Sequence, residues 1–302
     1  MTDDENGVDP DLDGTISWSD LLAEATARLE RAGLELPAID ARRIVEEATG
    51  SEPSEFHAIL DTSATVRGVA AFDRMVGRRE TGEPLQYVLG RWAFRHLDLM
   101  VDSRVLIPRP ETEVVAGLAI DEVVARSGAG RDVVVADLGT GSGAIAYAVV
   151  TECTGCRVLA TDRSPDALAV ARANLAGLGR AASRVSLHEG SWFDALPDSV
   201  RGAIDVLISN PPYIGDHEEL PAVVGEWEPR GALRAGPVGD EDLRTIIAGA
   251  DEWVAPRGAV VLEMAPDQTA PIANHFRAAG WQASVHADLA GRDRAVVARK
   301  RS

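Results

Sequence analysis

The feature that most constrains the fold is an alternation of strand-length apolar runs with helical patterns, which fills the chain from residue 132 onward. The predicted strands lie at residues 133–138, 158–161, 185–188, 204–209, 259–264, 282–286 and 295–299. The intervening helices are predicted after Gly143, at 165–175 and at 269–279. Because strands joined through helices pack side by side and parallel, this pattern predicts an α/β fold whose sheet has helices on both faces.

The first ninety residues lack this alternation and have helical spacing instead. Ser17 and Asp20 have the spacing of a capping box, and apolar residues then recur at helical intervals through residues 21–32. Pro37 suits the first position of a second helix. We therefore expect residues 15–90 to form a small helical domain.

Two further segments complete the predicted domain organisation. Residues 1–14 carry six carboxylates and no periodicity, which predicts a disordered acidic tail. Strand-like residues within 91–109 are interrupted at Asp102 and Ser103, so we expect a β-hairpin connector with its turn there. The strand-and-helix domain then occupies residues 110–302 and opens on a helix.

Charge and hydropathy narrow the classes of partner. A net charge of −18 repels a phosphate backbone, which disfavours a nucleic-acid substrate. The apolar runs are too short to cross a bilayer, and the acidic N-terminus has neither the basic flank nor the apolar segment of a secretory signal. We therefore expect a cytoplasmic, monomeric protein with no membrane partner and no direct contact to nucleic acid.

Cys153 and Cys156 form a C-x-x-C, the spacing of a redox pair or of half a zinc site. Zinc would need a second ligand pair, and the sequence has no second C-x-x-C. We interpret the two residues as ordinary thiols near a helix end, with a disulfide role as the alternative, and predict no metal site.

A glycine-rich segment between the strand at 133–138 and the following helix is the first functional candidate. Its residues are Asp137, Leu138, Gly139, Thr140, Gly141, Ser142 and Gly143. Glycines at such a turn let the backbone approach a ligand closely, which predicts a site for a nucleoside-like cofactor. The spacing also satisfies the looser fingerprint of nicotinamide and flavin cofactors, so it does not identify the cofactor.

Asp162 and Trp192 follow the next two predicted strands and are candidates for the same cofactor. Asp162 ends its strand where a carboxylate can accept hydrogen bonds from ribose hydroxyls, although an aspartate there can also cap a helix. An aromatic ring at Trp192 can flank an adenine, and core packing is the alternative.

The segment Asn210-Pro211-Pro212-Tyr213 follows the strand at 204–209 and is the most specific motif of the chain. Open α/β folds bind ligands at the carboxyl ends of such strands. Consecutive prolines hold the backbone extended, so the Asn210 side-chain oxygen and the Pro211 carbonyl become fixed acceptors for a planar NH2 group. Acceptors that hold both hydrogens favour an electron-rich nitrogen as attack begins, while Tyr213 can pack against the substrate plane.

These residues resemble the class I methyltransferases with an N-P-P-Y motif, which methylate amino groups of adenine, cytosine or glutamine. Residues 82–90 (GEPLQYVLG) and 105–113 (VLIPRPETE) are similar to segments of the release factor glutamine methyltransferases. Further similarities to this family lie at Glu228-Pro229, Glu263 with Gln268, and 291–294 (GRDR). The chain departs from the family pattern at 241–243 and 263–265, which puts only local loop geometry in doubt.

The resemblance implies a Rossmann-like, seven-stranded class I methyltransferase sheet with a reversed final strand, preceded by a helical bundle that helps to recognise the release factor. It implies that S-adenosylmethionine contacts Gly139, Thr140, Gly141, Ser142, Gly143, Asp162, Trp192 and Asn210. The motif from Asn210 to Tyr213, including Pro211 and Pro212, would hold the substrate. We therefore expect methylation of the side-chain amide nitrogen of the glutamine in the Gly-Gly-Gln motif of class-1 peptide release factors.

Other interpretations stay open on the sequence alone. Glutamine methylation of a ribosomal protein and methylation of adenine or cytosine amino groups fit the same acceptor pair. A nicotinamide oxidoreductase lacks an evident proton-relay residue, and a non-catalytic module would be expected to have a damaged cofactor loop or acceptor motif. Arg109 and Glu111 either line the entrance of the cleft or pair with other surface charges.

Overall fold

The computed structural model describes residues 16–128 and 131–301, so the tail predicted at residues 1–14 lies outside the described residues. The chain divides into two compact units, Met1–Leu89 and Gly90–Ser302. Within the described residues, no helix is both long enough and apolar enough to cross a lipid bilayer.

The N-terminal unit is helical, as its spacing predicts. Its helices are α1 Trp18–Arg31, α2 Pro37–Thr49, α3 Phe56–Leu60, α4 Val66–Glu80 and α5 Leu85–Leu89. Ser17 caps α1 by accepting a hydrogen bond from the Asp20 amide at 3.1 Å, which confirms the predicted helix start. Apolar residues of α1, α2 and α4 form one core, in which Trp18 meets Phe72 edge to face. Arg79 of α4 pairs at 2.8 Å with buried Asp40 of α2.

A short hairpin opens the second unit, but its turn is not where the sequence analysis placed it. Strand β1, Arg91–Phe94, pairs antiparallel with β2, Leu97–Met100. The turn is at Arg95 and His96, so the prediction of a turn at Asp102 and Ser103 is wrong. Arg95 adopts a left-handed φ of 52°, and its side chain makes two hydrogen bonds of 2.7 Å to Glu152. Contacts to residues distant in sequence therefore hold a conformation that turn propensity does not favour.

The remaining elements alternate as predicted. They are α6 Pro110–Arg126, β3 Val133–Leu138, α7 Ala144–Glu152, β4 Cys156–Asp162, α8 Pro165–Ala176, β5 Val185–Glu189, β6 Ile204–Ser209, α9 Ala222–Trp227, α10 Arg230–Leu233, α11 Glu241–Trp253, β7 Val254–Glu263, α12 Pro266–Ala278, β8 Gln282–Ala287 and β9 Asp293–Arg299. The helices α9, α10 and α11 were not predicted, although in α11 the residues Leu243, Ile246, Ile247 and Ala250 have helical spacing and are buried.

Within residues 131–301, seven strands form one sheet in the order β5-β4-β3-β6-β7-β9-β8. Neighbours from β5 to β7 are parallel, whereas β9 is antiparallel to both β7 and β8. The expectation of a reversed final strand is thus confirmed. Successive residues of β3 alternate between two apolar cores, Val133 and Val135 on one face and Val134 and Ala136 on the other. The parallel strands end at one edge of the sheet, where their carboxyl-terminal loops meet.

Candidate active site

A cleft of about 280 Å³ opens in the second unit at the carboxyl ends of β3, β4 and β6. Sequence-predicted residues that line it are Gly139, Thr140, Gly141, Ser142, Asp162, Trp192, Asn210 and Pro212. Gly143, Pro211 and Tyr213 are not among the lining residues. The cleft thus brings together the two predicted groups, which we call the cofactor wall (residues 137–143 with Asp162 and Trp192) and the acceptor wall (residues 210–213).

Glycine is required in the cofactor wall for two separate reasons. Gly139, Gly141 and Gly143 have φ values of 77°, 57° and 88°, in the left-handed region that other residues avoid. A Cβ on Gly143 would also lie 2.0 Å from the ring of Tyr147. Tyr147 is buried and donates a hydrogen bond to the Ala171 carbonyl at 2.7 Å, so it supports the turn from below and cannot move aside.

Asp162 holds the same turn from β4. Its carboxylate accepts hydrogen bonds from the Gly141 and Ser164 amides, both at 2.9 Å. Burial raises the pKa of Asp162, while these backbone hydrogen bonds oppose the rise. Ser164, rather than Asp162, caps the helix α8 by accepting from the Ala167 amide. Asp162 thus faces the cleft and is not used as a helix cap.

Asp137 is the buried, next-to-last residue of β3, just before the glycine turn. One carboxyl oxygen accepts from the Thr140 hydroxyl at 2.7 Å, and the other has no hydrogen-bond partner among the described residues. Burial raises the pKa of Asp137 to about 6. A turn of closely approaching backbone above buried carboxyls fits a ligand that carries hydroxyl and ammonium donors.

Trp192 is half-buried and lies between the core and the cleft. One side of the indole packs against the core formed around Phe193 and Leu243, and the other side forms cleft wall. Its ring would lie 3.3 Å from a Cβ on Gly139. Trp192 itself has a φ of 47°, so this segment is held in a left-handed conformation that places the ring beside the glycine turn.

The acceptor wall follows β6 directly. The Asn210 amide nitrogen donates to the Thr112 hydroxyl oxygen at 3.2 Å. Pro211 and Pro212 are buried, and the Pro211 carbonyl accepts no hydrogen bond within the described part of the chain. The Tyr213 carbonyl accepts from the Gln268 side chain at 3.2 Å. Burial raises the pKa of Tyr213 to about 12, so this phenol stays protonated and is no base near neutral pH.

Arg109 both lines the cleft and forms an ion pair. It binds Glu228, whose side chain is 1% exposed, and Glu228 also accepts from the Ile107 amide at 3.2 Å. This pair connects the loop before α6 to the segment between β6 and α11. Arg109 therefore lines the cleft, as one interpretation has it, and its ion-pair partner is a buried carboxylate and not a surface charge.

Several supporting residues were not recognised as such in the sequence. In the sequence, Thr112 is only part of the segment at 105–113 and Gln268 is only part of a family signature. Asn174 belongs to no motif. Asn174 of α8 donates to the Ser142 carbonyl at 2.9 Å and accepts from the Met100 amide at 2.7 Å. These contacts join residues far apart in the chain, and no local pattern marks them.

Cys153 and Cys156 are buried free thiols, away from this cleft. Burial raises the pKa of Cys153 to about 11, so its thiolate is scarce near neutral pH.

Comparison with known proteins defines the class first. Residues 20–90 match the family model described as PrmC N-terminal domain, and residues 122–227 match Methyltransferase small domain. The solved hMettl16 catalytic domain, in complex with MAT2A 3'UTR hairpin 6, is similar in fold with a TM-score of 0.51 and 13% identity, covering 79% of this chain and 84% of that one. The fold and the family model are those of a methyltransferase.

Relatives in sequence then define the family. The release factor glutamine methyltransferase of Streptomyces coelicolor is 39% identical over 92% of this chain and 96% of its own length. That of Deinococcus radiodurans is 38% identical over 93% of this chain and 98% of its own length. The chain belongs to the release factor glutamine methyltransferase family.

Proposed function

We propose that this protein transfers a methyl group from S-adenosylmethionine to the side-chain amide nitrogen of the glutamine in the Gly-Gly-Gln motif of class-1 peptide release factors. The observation that carries the proposal is the acceptor wall itself. Asn210 and Pro212 line the same cleft as the glycine turn, Asp162 and Trp192.

The residues of the cofactor wall fit the cofactor. When bound, S-adenosylmethionine supplies a methyl group made electrophilic by its sulfonium. Asp162 offers carboxylate lone pairs to ribose hydroxyls, and the left-handed glycine turn allows close backbone approach. Trp192 offers an aromatic face to the adenine. Each assignment is a proposal drawn from placement in the cleft.

The acceptor wall suits an amide nitrogen, which is a weak nucleophile because its lone pair is delocalised. Since the Asn210 nitrogen is engaged by Thr112, its side-chain oxygen is left to accept from the substrate NH2. The Pro211 carbonyl supplies a second acceptor. The two acceptors would align the substrate nitrogen for attack on the methyl carbon. As the N–C bond forms, the S–CH3 bond breaks and the sulfur leaves as a neutral thioether, and the nitrogen then releases one proton to solvent.

The size of the cleft limits what enters it. A volume of about 280 Å³ lies near the lower limit for ligand pockets, roughly 300 Å³. A protein substrate therefore reaches this cleft with a single extended side chain, not with a folded surface. A glutamine side chain on a projecting Gly-Gly-Gln loop fits this requirement.

Mass spectrometry tests the proposal. A purified class-1 release factor is incubated with this protein and S-adenosylmethionine, and the peptide that carries Gly-Gly-Gln is sequenced by fragmentation. One added methyl on that glutamine is expected. An unmodified glutamine, with cofactor binding demonstrated by calorimetry, would contradict the proposal and direct the search to ribosomal protein and nucleic-acid amino groups.

A further inference from the structure

A buried carboxyl behind the acceptor wall has no role in the function described so far. Glu263 ends β7, the strand beside β6, and Leu262 is the register partner of Ser209. Glu263 and Asn210 therefore leave the sheet side by side. Glu263 is 0% exposed, and neither carboxyl oxygen has a hydrogen bond of normal length and angle among the described residues. Burying a carboxyl without hydrogen-bond partners costs folding free energy, so its presence calls for an explanation.

Thr112 stands between this carboxyl and Asn210. It lies in the first turn of α6, is 4% exposed, and accepts the Asn210 amide hydrogen at 3.2 Å. The same hydroxyl interacts with the Glu263 carboxyl and lowers its pKa, although no hydrogen bond of normal length and angle joins the two. One hydroxyl thus faces both groups, and it has a single proton to donate.

The direction of the hydrogen bonds from Glu263 through Thr112 to Asn210 decides which end of the Asn210 side-chain amide faces the cleft. An ionised carboxylate can only accept hydrogen bonds, so the Thr112 hydroxyl donates its hydrogen bond to Glu263. The hydroxyl oxygen must then accept a hydrogen bond from the Asn210 NH2. The Asn210 oxygen is left for the substrate. A protonated carboxyl can donate to Thr112 instead, which frees the hydroxyl to donate to Asn210 and favours the reversed amide, with its NH2 toward the substrate NH2.

We infer that Thr112 and Glu263 are positioning residues for the substrate amide, and that ionised Glu263 acts through the Thr112 hydroxyl to keep the Asn210 carbonyl oxygen directed into the cleft. This inference rests on the proposed function, because it assumes that an NH2 group binds at Asn210. It assigns the buried carboxyl a role in orientation and not in proton transfer.

The charges around Glu263 set the pH at which its carboxyl loses a proton. At that pH the hydrogen bonds that run from Glu263 through Thr112 to Asn210, which we call the relay, reverse their direction. The pKa of Glu263 is raised to about 7, chiefly by burial and in part by Glu111 of α6. Thr112, Arg294 of β9 and Arg109 oppose the rise. Tyr213, the other titratable side chain that interacts with this carboxyl, stays neutral in this range. The carboxylate form, and with it the productive amide, is therefore gained as pH rises through about 7.

Kinetics of three variants test the link through Thr112. Thr112→Val is expected to lower kcat roughly 10- to 100-fold through misorientation of Asn210, with S-adenosylmethionine affinity unchanged. Thr112→Ser restores the hydroxyl and is expected to recover most of kcat. Thr151→Val is the matched control, since the Thr151 hydroxyl bonds only to carbonyls of its own helix. A Thr112→Val enzyme with wild-type kcat would overturn the inference.

The pH profile separates orientation from a merely structural role. Wild-type kcat is expected to fall as pH decreases from roughly 8.5 to roughly 6, following one ionisation. Glu263→Gln cannot ionise, so this step is expected to disappear. In the double variant with Thr112→Val, Glu263→Gln is expected to add little, because the link is already broken. If kcat of Glu263→Gln kept the pH dependence of the wild type, the relay would be contradicted. It would also be contradicted if the losses of kcat in the two single variants multiplied fully in the double variant.

Asn210 itself provides a readout that does not depend on turnover. The chain has four asparagines, so selective 15N labelling gives few side-chain NH2 signals, and Asn210→Ala identifies the relevant pair. As pH is varied, the chemical shifts of this pair are expected to follow the ionisation of Glu263 in the wild type and to stay constant in Glu263→Gln. If the wild type leaves the release factor unmethylated, the proposed function fails; if it methylates but these resonances do not titrate, only the relay fails.

Discussion

The two walls of the cleft are built in different ways. The cofactor wall is held by segments closer in the chain, since Thr140 bonds to Asp137 three residues away, Gly141 to Asp162 twenty-one residues away and Ser142 to Asn174 thirty-two residues away. The acceptor wall depends on distant segments: Asn210 is fixed by Thr112, 98 residues earlier, and the Tyr213 carbonyl by Gln268, 55 residues later. A mutation in the first wall should act through local conformation and cofactor affinity. One in the second should lower the rate of methyl transfer more than it lowers cofactor affinity.

The largest effect is expected from Asn210→Ala, which removes one of the two acceptors for the substrate NH2. By analogy with the loss of one preorganised hydrogen-bonding group at a reaction centre, kcat should fall about 100- to 1,000-fold. Rapid-quench methylation assays measure kcat, and calorimetry measures cofactor affinity, which should change less than kcat. Asn274→Ala, at an exposed position of α12, is the control and should behave as the wild type. An equal loss of affinity and rate would remove the distinction between the walls.

In the cofactor wall, Gly143→Ala should cost roughly 3 kcal/mol or more of unfolding free energy, because left-handed strain adds to a clash with the Tyr147 ring. Cofactor affinity should fall with it. Gly280→Ala shares a positive φ of 87° but meets no atom within 4 Å, so it isolates the conformational cost. Denaturant unfolding and calorimetry compare the two. Equal losses would mean that Tyr147 does not support the turn.

The buried carboxyl should oppose folding where it is charged. Its pKa of about 7 in the folded chain exceeds the ordinary value of 4.5. Stability is therefore lost as pH rises from about 4.5 to about 7, and Glu263→Gln should recover on the order of 3 kcal/mol at alkaline pH and little at acid pH. Thermal melts across pH measure this. Glu122→Gln, which breaks pairs with Arg126 and Arg299, should instead lose stability. A Glu263→Gln protein less stable than the wild type at alkaline pH would contradict the account.

The smallest effect is expected from Gln268→Ala. Gln268 donates to the Tyr213 and Gly239 carbonyls, at 3.2 and 3.0 Å, so its loss should loosen the end of the acceptor wall. We expect roughly a tenfold fall in kcat/KM for the release factor, with cofactor affinity kept. Gln282→Ala, at an exposed position of β8, controls for the substitution. Weakened cofactor binding in Gln268→Ala would show that the walls are not independent.

The same contrast explains what the sequence could predict. Strand β3 was located correctly because an uninterrupted apolar run followed by a glycine turn is a local signal. The acceptor motif was located for the same reason. The hairpin turn at Arg95 was missed because Glu152, 57 residues away, stabilises it. Thr112 and Glu263 were not recognised as partners of Asn210 because only the parallel pairing of β6 with β7, and the packing of α6 beside them, brings them together. The helix α11 had a local amphipathic signal that was overlooked.

The most direct test of the central claim asks whether the NH2 group of glutamine is what the acceptor wall holds. A class-1 release factor and its variant with glutamate in place of the Gly-Gly-Gln glutamine are each incubated with this protein and radiolabelled S-adenosylmethionine. The account predicts label in the glutamine protein and none in the glutamate protein, which has the same shape but no NH2 to donate. Equal labelling of the two proteins would contradict it.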